Sequence, residues 1–453
     1  MSIDKNLFPY DLAIVSIMKN VSTYVEEWLD YYLLAGVNHF FIYDNDSEDN
    51  FKEVLQPYID AGLVTYIFYP GKVSQIPVYN AAVRDFKFFC RYIAFIDADE
   101  FIFPHSKPTI TEVTDEILAD NPKAAALGIN WRLFGSNGQE KADYSRGVLE
   151  RFTARDANLN NHVKTIADPR KIKFLSNPHY AVYFKGYFSV DENGRIFTGP
   201  FNEEKTADKI SINHYHTKSR EEYEKKIALG RPTVLATRTM EDFASHDLND
   251  VFDDSILKYR DERLKLLVPE DSNIIEIFSE RNQIDFNKIL KAVTSNLLPA
   301  FEEDDTKKFL DNPTNSFEYF NMLVKFLDEV PEDFLNGKFE IFLICLNMST
   351  YLKETFVDEE LGNLLEEFSL YAIHKLLKIG LSTPEVQLLI TELPHILALS
   401  YPIMEKIRAD SFNIIKKFRD IQRFVIDEDS WENFVRLDYL INLIKIFDNY
   451  NNK

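Results

Sequence analysis

"RYIAFIDADEFIFP", residues 91–104, places the carboxylates of Asp97, Asp99 and Glu100 in the middle of an otherwise apolar run. A buried, unpaired carboxylate is costly, so a strand ending in such a group must meet water, a cation or a basic partner there. The fold around it is read from the residues before it. "LAIVSIM" (12–18) has the length and continuity of a buried strand, and Thr23-x-x-Glu26 behind it matches a capping box. Val25, Trp28, Leu29, Tyr32 and Leu33 then form one apolar stripe that Gly36 ends. "HFFIY" (39–43) is the next strand; Ser47 caps a second helix carrying Phe51, Val54, Leu55, Tyr58 and Ile59, which Gly62 closes before the strand "VTYIFY" (64–69). Residues 78–91 form a third helix feeding "YIAFID" (92–97). Strand and helix alternate throughout, which predicts an α/β, Rossmann-like domain with a mostly parallel sheet covered by helices.

Ligands of open α/β sheets bind beyond the carboxyl ends of the strands. Those ends carry Lys19-Asn20, Asp44-Asn45-Asp46, Gly71-Lys72 and Asp97-Ala98-Asp99. In an extended chain residues two apart share a face, so Asp97 and Asp99 aim at one point, where they repel unless a cation such as Mn²⁺ or Mg²⁺ joins them. The plainer alternative is a solvated turn or a helix cap. Neither G-x-G-x-x-G nor G-x-x-x-x-G-K-[ST] occurs, so bound phosphate must be held by metal and side chains. In "ISINHYH" (210–216) alternation sets His214 and His216 on one face, ahead of a helix capped by Ser219-x-x-Glu222 and ending near Gly230. His216 completes a metal site begun by Asp97 and Asp99, and such mixed ligation suits Mn²⁺ better than Mg²⁺. His214 reads as a hydrogen-bonded structural histidine, and Lys218 as a group that neutralises a leaving diphosphate.

The chain has 453 residues, 45% hydrophobic and 14% aromatic, enough for two or three domains with real cores. Its net charge of −22 argues against a broad nucleic-acid or anionic-lipid surface. Its first residues read poorly as a signal peptide, and no apolar run spans a bilayer. With Cys90 and Cys345 alone there is no disulfide framework, so the expected setting is cytoplasmic, with peripheral attachment at the inner membrane face still open. Residues 151–180 look like a loop-rich insertion whose Lys164 and His179 have no fixed role. Beyond 232 glycine is rare and apolar residues recur at helical spacing. The expected organisation is a catalytic domain over 1–231, a helical linker packed on it over 232–285, and an all-α C-terminal domain over 286–453 that recognises an acceptor, forms a homo-oligomer or rests on a membrane enzyme.

"MKNVSTYVEEWLDYYLLAGVNHFFIYDNDSEDN", "QIPVYNAAV", "YIAFIDADEFIFP", "NWRLFGSNG" and "NHYHTKS", in that order, resemble glycosyltransferases of the family 2 and family 92 type over about residues 10–231. The resemblance implies a GT-A fold and a metal-dependent, inverting transfer of a hexose from a nucleotide diphosphate sugar. Its family-level donor is galactose or glucose on uridine diphosphate. The acceptor it implies is a hydroxyl of a glycan or lipid-linked intermediate in cell-surface polysaccharide synthesis. It makes Asp97 and Asp99 the DxD metal site and His216 their third ligand. It gathers Lys19, Asn20, Asp44, Gln75 and Asn80 around the nucleotide, with Asp44 near the base or ribose. One departure is Val21, where relatives carry Glu. An inverting attack needs a carboxylate base, for which Asp143 and then Glu140 are the candidates, with Trp131 and Arg132 shaping the acceptor pocket. Two other classes stand beside this one: a catalytically inactive relative serving as an interaction scaffold, and a nucleotidyltransferase, for which the Gly-rich basic phosphate loop is missing.

Overall fold

The computed structural model describes residues 5–119, 121–229, 238–285 and 338–354, with 288, 289, 292, 369 and 372. The chain divides into two compact units, Met1–Asp285 and Phe286–Lys453. In the second, the described helix Phe339–Glu354 buries Phe342, Leu343 and Leu346; the rest of the all-α expectation lies outside the described residues.

The first unit opens with β1 (Tyr10–Met18), α1 (Ser22–Leu34), β2 (His39–Asp44), α2 (Phe51–Asp60), β3 (Val64–Phe68), α3 (Gln75–Phe86) and β4 (Cys90–Phe95), the alternation expected from the periodicity. These strands lie in the order β3-β2-β1-β4, all parallel, with Ala13 opposite both His39 and Ile93. β1 is apolar on both faces because both are covered. Leu12 and Ile14 pack with Trp28 and Leu29 on one side, whereas Ala13, Val15 and Ile17 pack with Val78, Tyr79 and Ala82 on the other. Gly36 stops α1 at φ +96°, where a Cβ would also meet Thr109 at 2.8 Å.

The two caps are arranged differently from the expected ones. α1 begins at Ser22, one residue before Thr23, so the Thr23 hydroxyl falls inside the first turn; the N-cap is Val21, and Asp49 Oδ2 accepts the Ser22 N–H at 3.0 Å. Ser47 does not cap α2, whose N-cap is Asn50; its Oγ accepts the Asn20 N–H at 3.1 Å, while Asn20 Oδ1 accepts the Glu48 N–H at 2.7 Å. The loops after β1 and β2 are thereby joined at the ligand-binding end of the sheet.

Beyond β4 follow β5 (Glu100–Pro104), α4 (Ile110–Ala119), β6 (Ala124–Leu133), α5 (Val148–Arg151), β7 (Ala154–Arg155), β8 (Asn160–Ala167), β9 (Ile172–Asn177), β10 (Tyr180–Tyr183), β11 (Phe188–Val190), β12 (Ile196–Phe197) and β13 (Ile210–His214). The sheet is mixed: β8 enters antiparallel between β4 and β6, pairing Ala94 with Ile166 and Ile129 with Lys164. The stretch read as a loop-rich insertion thus supplies a central strand. "NNHVKTIA" hides it because its polar side chains point to polar partners rather than to solvent. β13 runs parallel to β6 and antiparallel to β5, setting His214 opposite Glu100. Then come α6 (Arg220–Leu229), α7 (Met240–His246), β14 (Val251–Phe252), α8 (Ser255–Leu267) and α9 (Ile274–Arg281), with Ile256 and Phe278 buried in the same core as Trp28.

Candidate active site

β4 ends at Phe95, and Asp97-Ala98-Asp99 is the turn into β5 rather than extended strand, so the two aspartates meet different partners. Asp97 Oδ2 accepts from Lys164 Nζ at 2.9 Å, and Oδ1 from Gln75 Nε2 at 2.7 Å and Tyr79 Oη at 3.3 Å. Lys164 is wholly buried and also lies 3.5 Å from Glu100 Oε2, which accepts the Asp97 N–H at 3.0 Å. Burial pushes Glu100 up to about 8, against the pull of Lys164. Burial works against the charges of Lys164 and Asp97 too, but their mutual attraction wins, holding the lysine above and the aspartate below its ordinary range. The turn has met a basic partner on this side.

Asp99 meets two histidines and a second lysine. Its Oδ1 is 3.5 Å from His214 Nε2, its Oδ2 accepts from Lys226 Nζ at 2.6 Å, and its carbonyl accepts the Tyr215 N–H at 2.8 Å. Ligand atoms of Asp99, His214 and His216 lie within 4.8 Å of one another. Burial keeps both imidazoles below the ordinary histidine range, which is the neutral, lone-pair form that coordinates metals. Burial disfavours the Asp99 charge, and Lys226 and His214 reverse this, holding it ionised. One carboxylate oxygen and two imidazole nitrogens are a donor set suited to a divalent metal ion, and the buried His214 Nδ1 has no hydrogen-bond partner. Of the expected ligands, the structure brings Asp99 and His216 together, adds His214, and gives Asp97 to Lys164.

Lys218 lies in the left-handed region at φ +50° and is buried, with its ammonium 4.4 Å from the Tyr24 ring. It makes no ion pair among the described residues. Burial lowers it to about 8 even though Asp99 draws it upward. The wall beneath it is fixed by Glu222, which takes two bonds of 2.9 Å from Arg151 and one of 2.7 Å from Tyr24 Oη, and closes the expected capping box by accepting the Ser219 N–H at 3.0 Å.

The other expected residues are spread around this centre. Lys19 is 3.7 Å from Glu48; Asp44 is buried and accepts from Ser47 N at 2.9 Å and Tyr66 Oη at 2.7 Å. Asn80 spends its amide on the backbone of Leu175, two bonds of 2.8 Å, which ties α3 to β9. Trp131 and Arg132, adjacent on β6, point to opposite faces. Trp131 stacks on His162 at 4.8 Å and meets His214 edge-on at 4.3 Å, whereas Arg132 donates to the Ala207 carbonyl at 2.8 Å and lies 3.6 Å from Asp253. Asp143 and Glu140 lie in an exposed loop; Ser145 donates to Asp143 from N and Oγ and holds its carboxyl below the ordinary range, and Glu140 is 3.7 Å from Arg220. Three site residues escaped the sequence reading, which took His214 for a structural histidine and gave Lys164 and Lys226 no role. The alternation that singled out His216 applied equally to His214; Lys164 was visible but unplaced; nothing in the sequence links Lys226 to Asp99, 127 positions away.

The fold is thus a mixed α/β sheet with a carboxylate–histidine cluster and a buried ammonium near the carboxyl ends of its parallel strands. The profile of Glycosyltransferase family 92 matches residues 15–256, just over half of the chain, and the chain belongs to that family, the class of transferase that the sequence resemblance implied. A family 92 protein of Ricinus communis is 26% identical over 166 residues, 36% of this chain and 30% of the relative. One of Oryza sativa subsp. japonica is 28% identical over 161 residues, 35% of this chain and 27% of the relative. The chain thus spans about three-tenths of the length of these curated relatives. Among solved structures, S. aureus TarS 1–349 in complex with UDP-GlcNAc shares 12% identity at a TM-score of 0.30, covering 79% of this chain and 90% of that one. Among the described residues no helix is long and apolar enough to cross a membrane.

Proposed function

We propose that the first unit is a metal-dependent, inverting hexosyltransferase of GT-A type that moves a sugar from a uridine diphosphate donor to a hydroxyl of a glycan or lipid-linked acceptor. The observation that carries the reading is Lys218, a buried ammonium without an ion-pair partner among the described residues, within the electrostatic reach of Asp99 in the Asp99–His214–His216 cluster. A buried cation without a counter-ion is a site for an anion, and the donor's diphosphate is one. Asp99, His214 and His216 would hold Mn²⁺, which, when bound, supplies Lewis-acid stabilisation to the departing diphosphate. Lys218 adds a fixed positive charge where the leaving group gains its negative one, and Lys164 keeps Asp97 and Glu100 from repelling it. Asp44 and the joined Asn20–Ser47 loops form the nucleotide side, and Trp131 with His162 offers a flat wall for a sugar ring. Asp143, kept ionised by Ser145, is the proposed base, with Glu140 second.

Calorimetric titration with UDP tests this. Binding should require Mn²⁺ and disappear in Asp99→Asn while the melting curve stays cooperative; Mn²⁺-independent binding that survives Asp99→Asn would sink the assignment. The second reading, an inactive relative acting as a scaffold, draws on Val21, which offers no carboxylate at the start of α1. It expects no UDP binding under either condition.

A further inference from the structure

Lys226 has no part in the transfer chemistry above, yet it sits on the donor set itself. From α6 its ammonium donates to Asp99 Oδ2 at 2.6 Å and to the His216 carbonyl at 2.9 Å, and lies 3.4 Å from His216 Nδ1. An ammonium has three protons to give, and these acceptors account for all of them. The ammonium thus occupies donor atoms on two of the three residues that would ligate a cation. An ammonium and a divalent ion cannot share them, because two like charges would be in contact. Asp99 also needs a counter-charge in every state: its side chain is 14% exposed, and the nearby Lys218 stacks on Tyr24 instead of pairing with it. Lys226, 21% exposed, reaches in from the helix with its stem and supplies that charge from within the protein.

We infer that Lys226 is a tethered cation that keeps the Asp99–His214–His216 pocket closed, and that a divalent ion enters only by displacing it. The inference rests on the reading of this pocket as a metal-dependent donor site. It makes metal affinity a competition: the apparent affinity is reduced by the fraction of molecules in which the ammonium has withdrawn. A closed form favoured about ten to one weakens Mn²⁺ binding about tenfold, and removing the ammonium restores it.

The test is titration of the chelator-stripped full chain with MnCl₂, read by calorimetry and by the loss of the free Mn²⁺ electron paramagnetic resonance signal. Lys226→Met keeps the aliphatic stem, Lys226→Gln keeps a polar end, and circular dichroism melts verify that each is folded. Both variants should bind Mn²⁺ about tenfold more tightly than the wild type, and Asp99→Asn should abolish binding in each background. Equal affinity with and without Lys226, still lost in Asp99→Asn, overturns the displacement and leaves the metal reading standing. Weaker binding in the variants overturns it as well, marking Lys226 as a support of the site. An absence of Mn²⁺ binding in every protein overturns both.

Discussion

Lys164 shows how much one side chain decides at this site. It is the only cation within ion-pair distance of both Asp97 and Glu100 among the described residues, and it is fully buried. Lys164→Met retains the volume and deletes the charge, leaving the partly exposed Asp97 carboxylate without its cation beside the buried Glu100. Because Asp97 is partly open to solvent, such a loss costs about 1–3 kcal/mol, less than for a fully buried pair. Urea denaturation at pH 7 should show that destabilisation, and it should shrink toward pH 4 as Asp97, no longer held ionised by Lys164, takes up a proton; Glu100, raised to about 8 by burial, already carries its proton at pH 7. A penalty that does not change with pH would mean that packing, not charge, is what Lys164 contributes. The carboxylates of this turn were legible in the sequence as groups needing a cation or basic partner, because that requirement follows from their apolar neighbours alone. Which partner each takes was not legible. Extended geometry would have aimed Asp97 and Asp99 together, and the turn after Phe95 separates them.

The elements legible in the sequence were those whose faces are covered by apolar side chains. β1 to β4 and α1 to α3 all fell where the periodicity placed them, within a few residues at the ends. β8 did not, because Lys164, His162 and Thr165 interrupt its apolar pattern, and their partners come from elsewhere in the chain. The join between α1 and α2 carries its own prediction. Tyr58 Oη on α2 donates to Asp30 Oδ1 on α1 at 2.7 Å, and burial raises Asp30 to about 6 in spite of that bond. The folded state therefore holds this proton more tightly than the unfolded chain does. Stability from Asp30 is fully present below its ordinary value of 3.8 and is lost as pH rises through about 6. Asp30→Asn keeps an acceptor for Tyr58 without the charge. It should be more stable than the wild type by about 1–2 kcal/mol at pH 7, with the difference gone at pH 3.5 by urea denaturation. A gap of equal size at both values would exclude the titration of Asp30 as its cause.

At the scale of the whole molecule, the family match over residues 15–256 falls inside the first unit, Met1–Asp285, which carries its own sheet and two apolar layers. The expected catalytic boundary at 231 would cut off α7 to α9, and Ile256 and Phe278 of α8 and α9 are part of the core. A fragment of residues 1–285 should therefore melt cooperatively and retain Mn²⁺-dependent UDP binding, whereas 1–231 should expose apolar surface and bind the dye ANS. Equal cooperativity in both fragments would show that α8 and α9 are dispensable.

The antiparallel entry of β8 also bears on how the chain is made. A ribosome that has delivered only the first 120 residues has built β1 to β4 with the edge of β4 open and an acidic turn at its tip that nothing neutralises. Lys164 arrives 67 residues after Asp97, on the same strand that seals that edge. Covering that edge and neutralising Asp97 are thus a single event in synthesis, and until then the growing polypeptide presents a sticky border that a chaperone would recognise.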